Sequence, residues 1–183
     1  MIVVATLALV AILGDSTKPS VDSTLPHPHR ISAEGGYGYE TSMWRVGTQH
    51  DFRKRRFGAR LVGSVFIEAT AGAWYSQSRA GDNRHIVDIG VTPVWQLLLD
   101  REGTITPYAE AAVGFHHISE TRLNRRVGLG TAFQFGDHAG VGVLFGTRRR
   151  YDLTFRFQHL SNGGLRTPNH GVNFSSLRFA VRL

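Results

Sequence analysis

The chain has 183 residues, a formal net charge of +7 and no cysteine. That length holds one domain, or one domain with a targeting segment, and the missing thiols exclude both a disulfide framework and a thiolate metal site. Only 19% of residues are charged, while 21 glycines, 11 phenylalanines, five tyrosines and three tryptophans give a mixture typical of tightly packed all-β chains; the basic balance suits a polyanion or an anionic membrane surface.

The chain opens on an apolar run from Ile2 to Leu13, followed by the turn-prone Asp15-Ser16-Thr17-Lys18-Pro19. The run falls short of the roughly 20 residues a membrane-spanning helix needs. It fits the apolar part of a secretory signal, without the basic stretch that normally precedes one; a buried N-terminal strand is the alternative. Ser16 to Arg30 has three prolines and no periodicity and reads as a tail. Residues 1–30 are therefore assigned to signal and tail, and 31–183 to one folded domain.

From Ile31 onward the pattern is alternation, which predicts about eight strands: 32–39, 42–52, 59–76, 85–98, 106–117, 131–146, 150–162 and 172–183. Alternate residues of a strand share a face. The third strand sets Leu61, Val65, Ile67, Ala69, Ala71, Ala73 and Tyr75 against Ser64, Glu68, Thr70 and Ser76. The fourth sets Val87, Ile89, Val91, Pro93, Trp95 and Leu97 against Asp88, Thr92 and Gln96. The fifth sets Ala109, Ala111, Val113 and Phe115 against Tyr108, Glu110 and His116, and the last Leu177, Phe179, Val181 and Leu183 against Ser176, Arg178, Ala180 and Arg182.

Several of these segments exceed ten residues, long for soluble strands and suited to tilted membrane-spanning ones. Charges of opposite sign recur at mid-strand on the polar side, with Glu68, Asp88 and Glu110 facing Arg45, Arg156, Arg178 and Arg182. The interior of an eight-stranded barrel is just wide enough for side chains to fill and pair. The apolar side then meets lipid, and closure removes the unpaired edges that lipid penalises. The fold class predicted is all-β, an eight-stranded antiparallel transmembrane barrel; a soluble lipocalin-like cup is the alternative.

Short inner turns are predicted at Arg53–Gly58, Leu99–Gly103 and Thr147–Arg150, and longer outer loops at Gln77–Arg84, Ile118–Gly130 and Gly163–Gly171. The runs Arg53-Lys54-Arg55-Arg56 and Arg148-Arg149-Arg150 lack interleaved aromatics and a recognition motif, so no nucleic-acid partner is predicted. Arg122, Arg125, Arg126 and Arg166 fall on outer loops, at the level of lipid phosphates.

His159 and Ser161 share the apolar face of the seventh strand with Phe155 and Phe157, and antiparallel return of the eighth brings Asn173 beside them. A serine hydroxyl becomes nucleophilic when a base takes its proton, histidine is the usual base near neutral pH, and a third group must fix the ring's tautomer. A histidine and serine at the membrane interface of an ordinary barrel is the bland alternative.

The stretch His159-Leu160-Ser161-Asn162-Gly163-Gly164-Leu165-Arg166-Thr167-Pro168-Asn169-His170-Gly171-Val172-Asn173 resembles the signature of the lipid A 3-O-deacylase family, the outer-membrane PagL-type enzymes: H-x-S-N, a glycine shortly after, then P-N-x-G. Pro107 to Gly114 and Phe133-Gln134-Phe135-Gly136-Asp137 also resemble that family's fifth and sixth strands. The resemblance implies an outer-membrane serine esterase that removes the ester-linked 3-hydroxyacyl chain at position 3 of lipid A, with lipopolysaccharide as substrate partner and no cofactor or metal. Carried onto this chain, Ser161 is the nucleophile, His159 the general base, and Asn162, Gly164 and Asn169 the candidate oxyanion donors. The departure is Asn173, where well-studied members have glutamate; no other carboxylate is expected to replace it, Asp152 having lumenal parity. The alternative function is a non-catalytic small barrel, structural, adhesive or a pseudoenzyme, and association into a homodimer is left open.

Overall fold

A computed structural model of the chain describes residues 29–76, 83–100 and 104–183. The predicted signal and tail fall almost wholly outside those residues. Eight strands follow one another in sequence order: β1 (His29–Gly38), β2 (Thr41–Phe57), β3 (Leu61–Ser76), β4 (Arg84–Leu99), β5 (Thr106–Ile118), β6 (Phe133–Phe145), β7 (Tyr151–Ser161) and β8 (Val172–Arg182). Each pairs antiparallel with its neighbours, and β1 pairs with β8 to close a barrel. The predicted fold class is thus borne out.

Apart from β2, even-numbered residues point into the barrel and odd-numbered ones out. The outward set includes Ile89, Val91, Leu97, Phe115, Val141, Leu153, Phe155, Phe157, Leu177 and Phe179, each between 41% and 60% exposed. A soluble cup would turn this face inward; a lipid-facing wall requires it outside.

The lumen is filled in tiers. Its middle is charged: Arg156 donates from Nε to Glu110 (2.6 Å) and from one Nη to Glu34 (3.2 Å) and Glu68 (2.8 Å). Arg45 grips both oxygens of Glu34 at 3.0 Å, Arg178 meets Asp152 at 3.0 Å, and Asp88 meets His116 at 2.9 Å. Mutual neutralisation is what makes such burial tolerable. Arg182, expected in this set, instead sits half-buried at the inner end, where it donates to the Arg148 carbonyl at 3.5 Å. The outer end is apolar: Met43, Trp74, Ile86, Ile118, Leu160, Val172 and Phe174 pack around Leu123 and Leu129 from the loop between β5 and β6, so that loop plugs the barrel.

One predicted turn is corrected. Arg53 to Phe57 continue β2, and the hairpin lies at residues 58–60. Asp51 pairs with Phe66 and Arg53 with Val65, leaving Phe52 as a bulge. The extra residue flips the parity of everything after it. Lys54 and Arg56 thereby turn toward the inner mouth, where Lys54 meets Asp51 at 3.0 Å and Arg56 meets Asp100 at 2.6 Å. Arg149 also reaches Asp100 at 2.6 Å. Hydrogen bonds from Arg149 and then Arg56 hold the Asp100 carboxyl below the usual aspartate range, so this link between inner turns persists into mild acid.

Candidate active site

His159 stands on β7 directly opposite Asn173 on β8. Both point out of the barrel at its outer end. Asn173 Oδ1 accepts from His159 Nδ1 at 2.7 Å, which puts the ring proton on Nδ1 and leaves the Nε2 lone pair available. Ser161, the last residue of β7, follows on the same face, and both His159 and Ser161 are half-buried. The structure forms no hydrogen bond between His159 and Ser161; rotation of the serine about its single χ1 bond is the freedom that would set that contact.

Gly171 explains how the ring is aimed, a role that its place in the motif does not by itself suggest. Continuing the β7–β8 register one step sets Gly171 opposite Ser161. Its φ is +69°, and a Cβ there would lie 2.7 Å from His159 Cε1 and 3.3 Å from Nε2. The Cε1–Nε2 edge of the imidazole therefore occupies the space that any side chain at 171 would take. Gly171→Ala adds both a steric clash and left-handed backbone strain of about 1–3 kcal/mol. It is expected to lower turnover about 100-fold, the scale of an ångström-sized misplacement, while leaving the barrel folded; steady-state kinetics alongside a heat-modifiability gel checks this.

The three residues expected as oxyanion donors separate. Asn162 is fully buried and its side chain staples the two outer loops together: Nδ2 donates to the carbonyls of Leu129 (2.8 Å) and Arg166 (2.6 Å), and Oδ1 accepts from the Gly164 N–H (2.9 Å). The Asn162 N–H in turn donates to Asn169 Oδ1 at 3.0 Å. The Asn162 and Gly164 donors are thus occupied by protein acceptors. The Asn169 Nδ2 has no protein acceptor among the described residues and remains on a half-buried side chain beside Ser161's loop. Reciprocal bonds between Gly128 and His170, at 3.1 and 3.2 Å, tie the same loops a second time.

The two acids after Glu120 divide by face. Asp152 is lumenal, as parity required, and is held by Tyr108 and Arg178. Asp137, however, lies on the outer face of β6 directly opposite His159, on the side away from Asn173. No hydrogen bond or ion pair joins the two, yet neighbouring same-face residues of paired strands have Cβ atoms about 5 Å apart. The outer wall thus carries the row Asp137, His159, Asn173. Among the described residues no group of three or more His, Asp or Glu converges as a metal site.

Comparison with known proteins identifies relatives of the whole barrel. Residues 34–182 match the family model described as Lipid A 3-O-deacylase (PagL). The chain is 40% identical over 76 residues to Lipid A deacylase PagL of Bordetella bronchiseptica, covering 41% of this chain and 40% of that one. It is 28% identical over 153 residues to Lipid A deacylase PagL of Pseudomonas aeruginosa, covering 82% and 83%. The crystal structure of the outer membrane enzyme PagL superposes with a TM-score of 0.71 at 24% identity, covering 84% of this chain and 99% of that one, which establishes the shared fold. With the family match spanning all eight strands and the histidine, serine and glycine-bearing turns of the outer rim, the chain belongs to the lipid A 3-O-deacylase (PagL) family.

Proposed function

We propose that this protein is a serine esterase whose site lies on the lipid-facing wall of the barrel, with Ser161 as nucleophile, His159 as general base and Asn173 as the residue that orients the base. Outer-membrane lipid A deacylation comes with the family; the chemistry assigned to individual residues is our reading. The observation that carries it is the 2.7 Å bond from His159 Nδ1 to Asn173 Oδ1, two residues from a serine on the same outward face. The ester of lipid A lies within the membrane, so a site on the outer wall receives it by lateral diffusion.

In the reaction Ser161 Oγ attacks the ester carbonyl carbon while its proton passes to His159 Nε2. The tetrahedral intermediate collapses with the sugar O3 departing and taking that proton. Water then repeats the sequence on the acyl-serine, releasing the 3-hydroxy fatty acid. Asn169 Nδ2 is the donor proposed for the oxyanion, a contribution of about 10²–10³ in rate where such donors have been removed.

The competing reading is a non-catalytic barrel, and it draws on the amide at position 173. Mass spectrometry of lipid A from cells expressing the protein separates the two: loss of one 3-hydroxyacyl chain supports the esterase, and an unchanged spectrum overturns it. A triad aspartate replaced by its amide has cost about 10⁴ in a serine protease, partly through the wrong ring tautomer. Here Asn173 presents its oxygen to Nδ1 and the tautomer is right, so only the charge is missing. Asn173→Glu is therefore expected to raise kcat about 10- to 100-fold, and an unchanged or lower kcat in the folded variant would show that position 173 only orients the ring.

A further inference from the structure

The outer loops enclose a second cavity that the proposed ester chemistry does not use. It measures about 460 Å³ and is lined by Arg122, Thr131, Ala132, Arg166 and Pro168, with Thr121, Gly130 and Thr167 completing the wall. Neither arginine has a carboxylate partner among the described residues. The nearest acid in sequence, Glu120, is engaged 3.6 Å from Arg84. Unpaired guanidinium groups in one cleft attract an anion, and their planar fork matches phosphate oxygens.

The walls are fixed before any ligand arrives. Arg122 sits on a small ribbon, bridged to Gly128, with the Leu129 N–H donating to the Thr121 carbonyl at 2.7 Å. Asn124 Oδ1 closes the ribbon's turn by accepting from the N–H groups of Arg126 and Val127, both at 2.8 Å. The Arg166 carbonyl is held by Asn162 Nδ2, and a Cβ on Gly130 would lie 2.8 Å from that carbonyl and 2.9 Å from Asn162 Nδ2, so the two loops meet at the floor of the cleft. The backbones that carry the two arginines are thus held in place, and their exposed side chains reach from them into the cleft.

Depth in the membrane points to the same ligand. Ala132, in the cleft wall, leads directly into Phe133, and Phe115, Phe133 and Phe135 form an aromatic cluster with ring centroids 5.1–5.9 Å apart. Aromatic girdles mark the boundary between hydrocarbon and headgroups. Phe135 is the register partner of Ser161, and Asn162, which follows Ser161, touches the cleft floor. Ester site and cleft thus share the loop between β7 and β8, at the level where headgroup phosphates occur.

We propose that this cleft is a phosphate subsite: Arg122 and Arg166 bind a phosphate monoester on the glucosamine backbone of lipid A and set the sugar so that its 3-O-acyl ester lies at Ser161. This rests on the esterase reading for its role in catalysis, and on the cleft alone for its affinity. The test compares KM for lipid A carrying its phosphates with KM for the dephosphorylated lipid, in detergent micelles, for the wild type, Arg122→Ala, Arg166→Ala, the double variant and Arg122→Lys. The wild type is expected to favour the phosphorylated lipid about 100-fold in KM, each alanine to reduce that preference about tenfold, the double variant to erase it, and Arg122→Lys to retain part of it. Equal losses on both lipids would reduce the arginines to a structural role and overturn the proposal, as would a wild type indifferent to the phosphates. Direct binding of Ser161→Ala protein to the two lipids keeps the subsite testable without turnover: phosphate-dependent binding that needs both arginines supports the subsite, and if the wild type releases no fatty acid from the lipid it binds in this way, the esterase falls and the subsite stands.

Discussion

Ser161→Ala is expected to lower release of the 3-hydroxy fatty acid by about 10⁴-fold, and His159→Ala to match it. Where nucleophile, base and carboxylate act as a unit, loss of the nucleophile or base alone costs about 10⁶ in kcat. In the proposed site the third member is Asn173, bound to His159 through Oδ1. It aligns the ring without the negative charge that would stabilise an imidazolium, so the starting enzyme is slower by the 10- to 100-fold that Asn173→Glu is expected to restore. What can be lost is correspondingly smaller. What remains after the loss is binding and oxyanion stabilisation, about 10³–10⁴ over water. The double variant should be no slower than either single one, because neither residue does chemistry without the other. Purified variants in detergent micelles, assayed for free hydroxy fatty acid, give the rates, and mass spectrometry of cellular lipid A should show the same loss in the native membrane. A Ser161→Ala protein with wild-type turnover would remove the serine mechanism altogether.

The strand faces and the closing of the barrel were legible because period-2 alternation is a local property, and a lipid-facing wall demands it of every strand. The same reasoning failed at Phe52, where one unpaired residue reverses the alternation and turned a basic strand end into an apparent turn. Bulges leave no mark in composition; only the register with β3 reveals this one. At the site, the near-sequence relations of His159, Ser161 and Asn173 could be read because a short loop and antiparallel return fix them. Asp137 could not, since its place beside His159 depends on the β6–β7 register across a turn whose length does not dictate pairing. Asn162 shows the limit of a motif: its position in the signature is compatible with a donor to substrate or with a loop staple, and only its occupied bonds to Leu129, Arg166 and Gly164 identify the staple. Gly171 was visible as a motif glycine, but the reason for it, the ring of His159 lying over its α-carbon, is three-dimensional.

Arg156→Met should be the most destabilising substitution in the lumen, by about 3–5 kcal/mol, because it removes the shared cation of several buried carboxylates and not one surface pair. Arg156 is fully buried and contacts Glu34, Glu68 and Glu110 within 3.2 Å. Once it is gone, Glu34 retains Arg45, while Glu68 keeps the neutral Gln49 and Arg178 at the looser 3.9 Å, and Glu110 keeps Gln96, His138 at 3.3 Å and Arg178 at 3.8 Å. The lumen then holds more negative charge than its remaining arginines can neutralise, with little water to screen it. Arg156→Lys keeps the charge but replaces a planar fork reaching three acids by a single ammonium, so it should recover only part of the loss. Adding Glu68→Gln and Glu110→Gln to Arg156→Met removes the uncompensated charges themselves and should recover more, although no cation has been restored. Urea unfolding of the barrel in lipid vesicles, followed by tryptophan fluorescence, orders these four proteins. His159, Ser161 and Asn173 lie on the opposite face of the same wall, so the loss should appear in the folded fraction and not in turnover per folded molecule. If Arg156→Met unfolds at the wild-type urea concentration, the charged tier is filling space without holding the barrel together, and the apolar plug under the outer loops carries the stability instead.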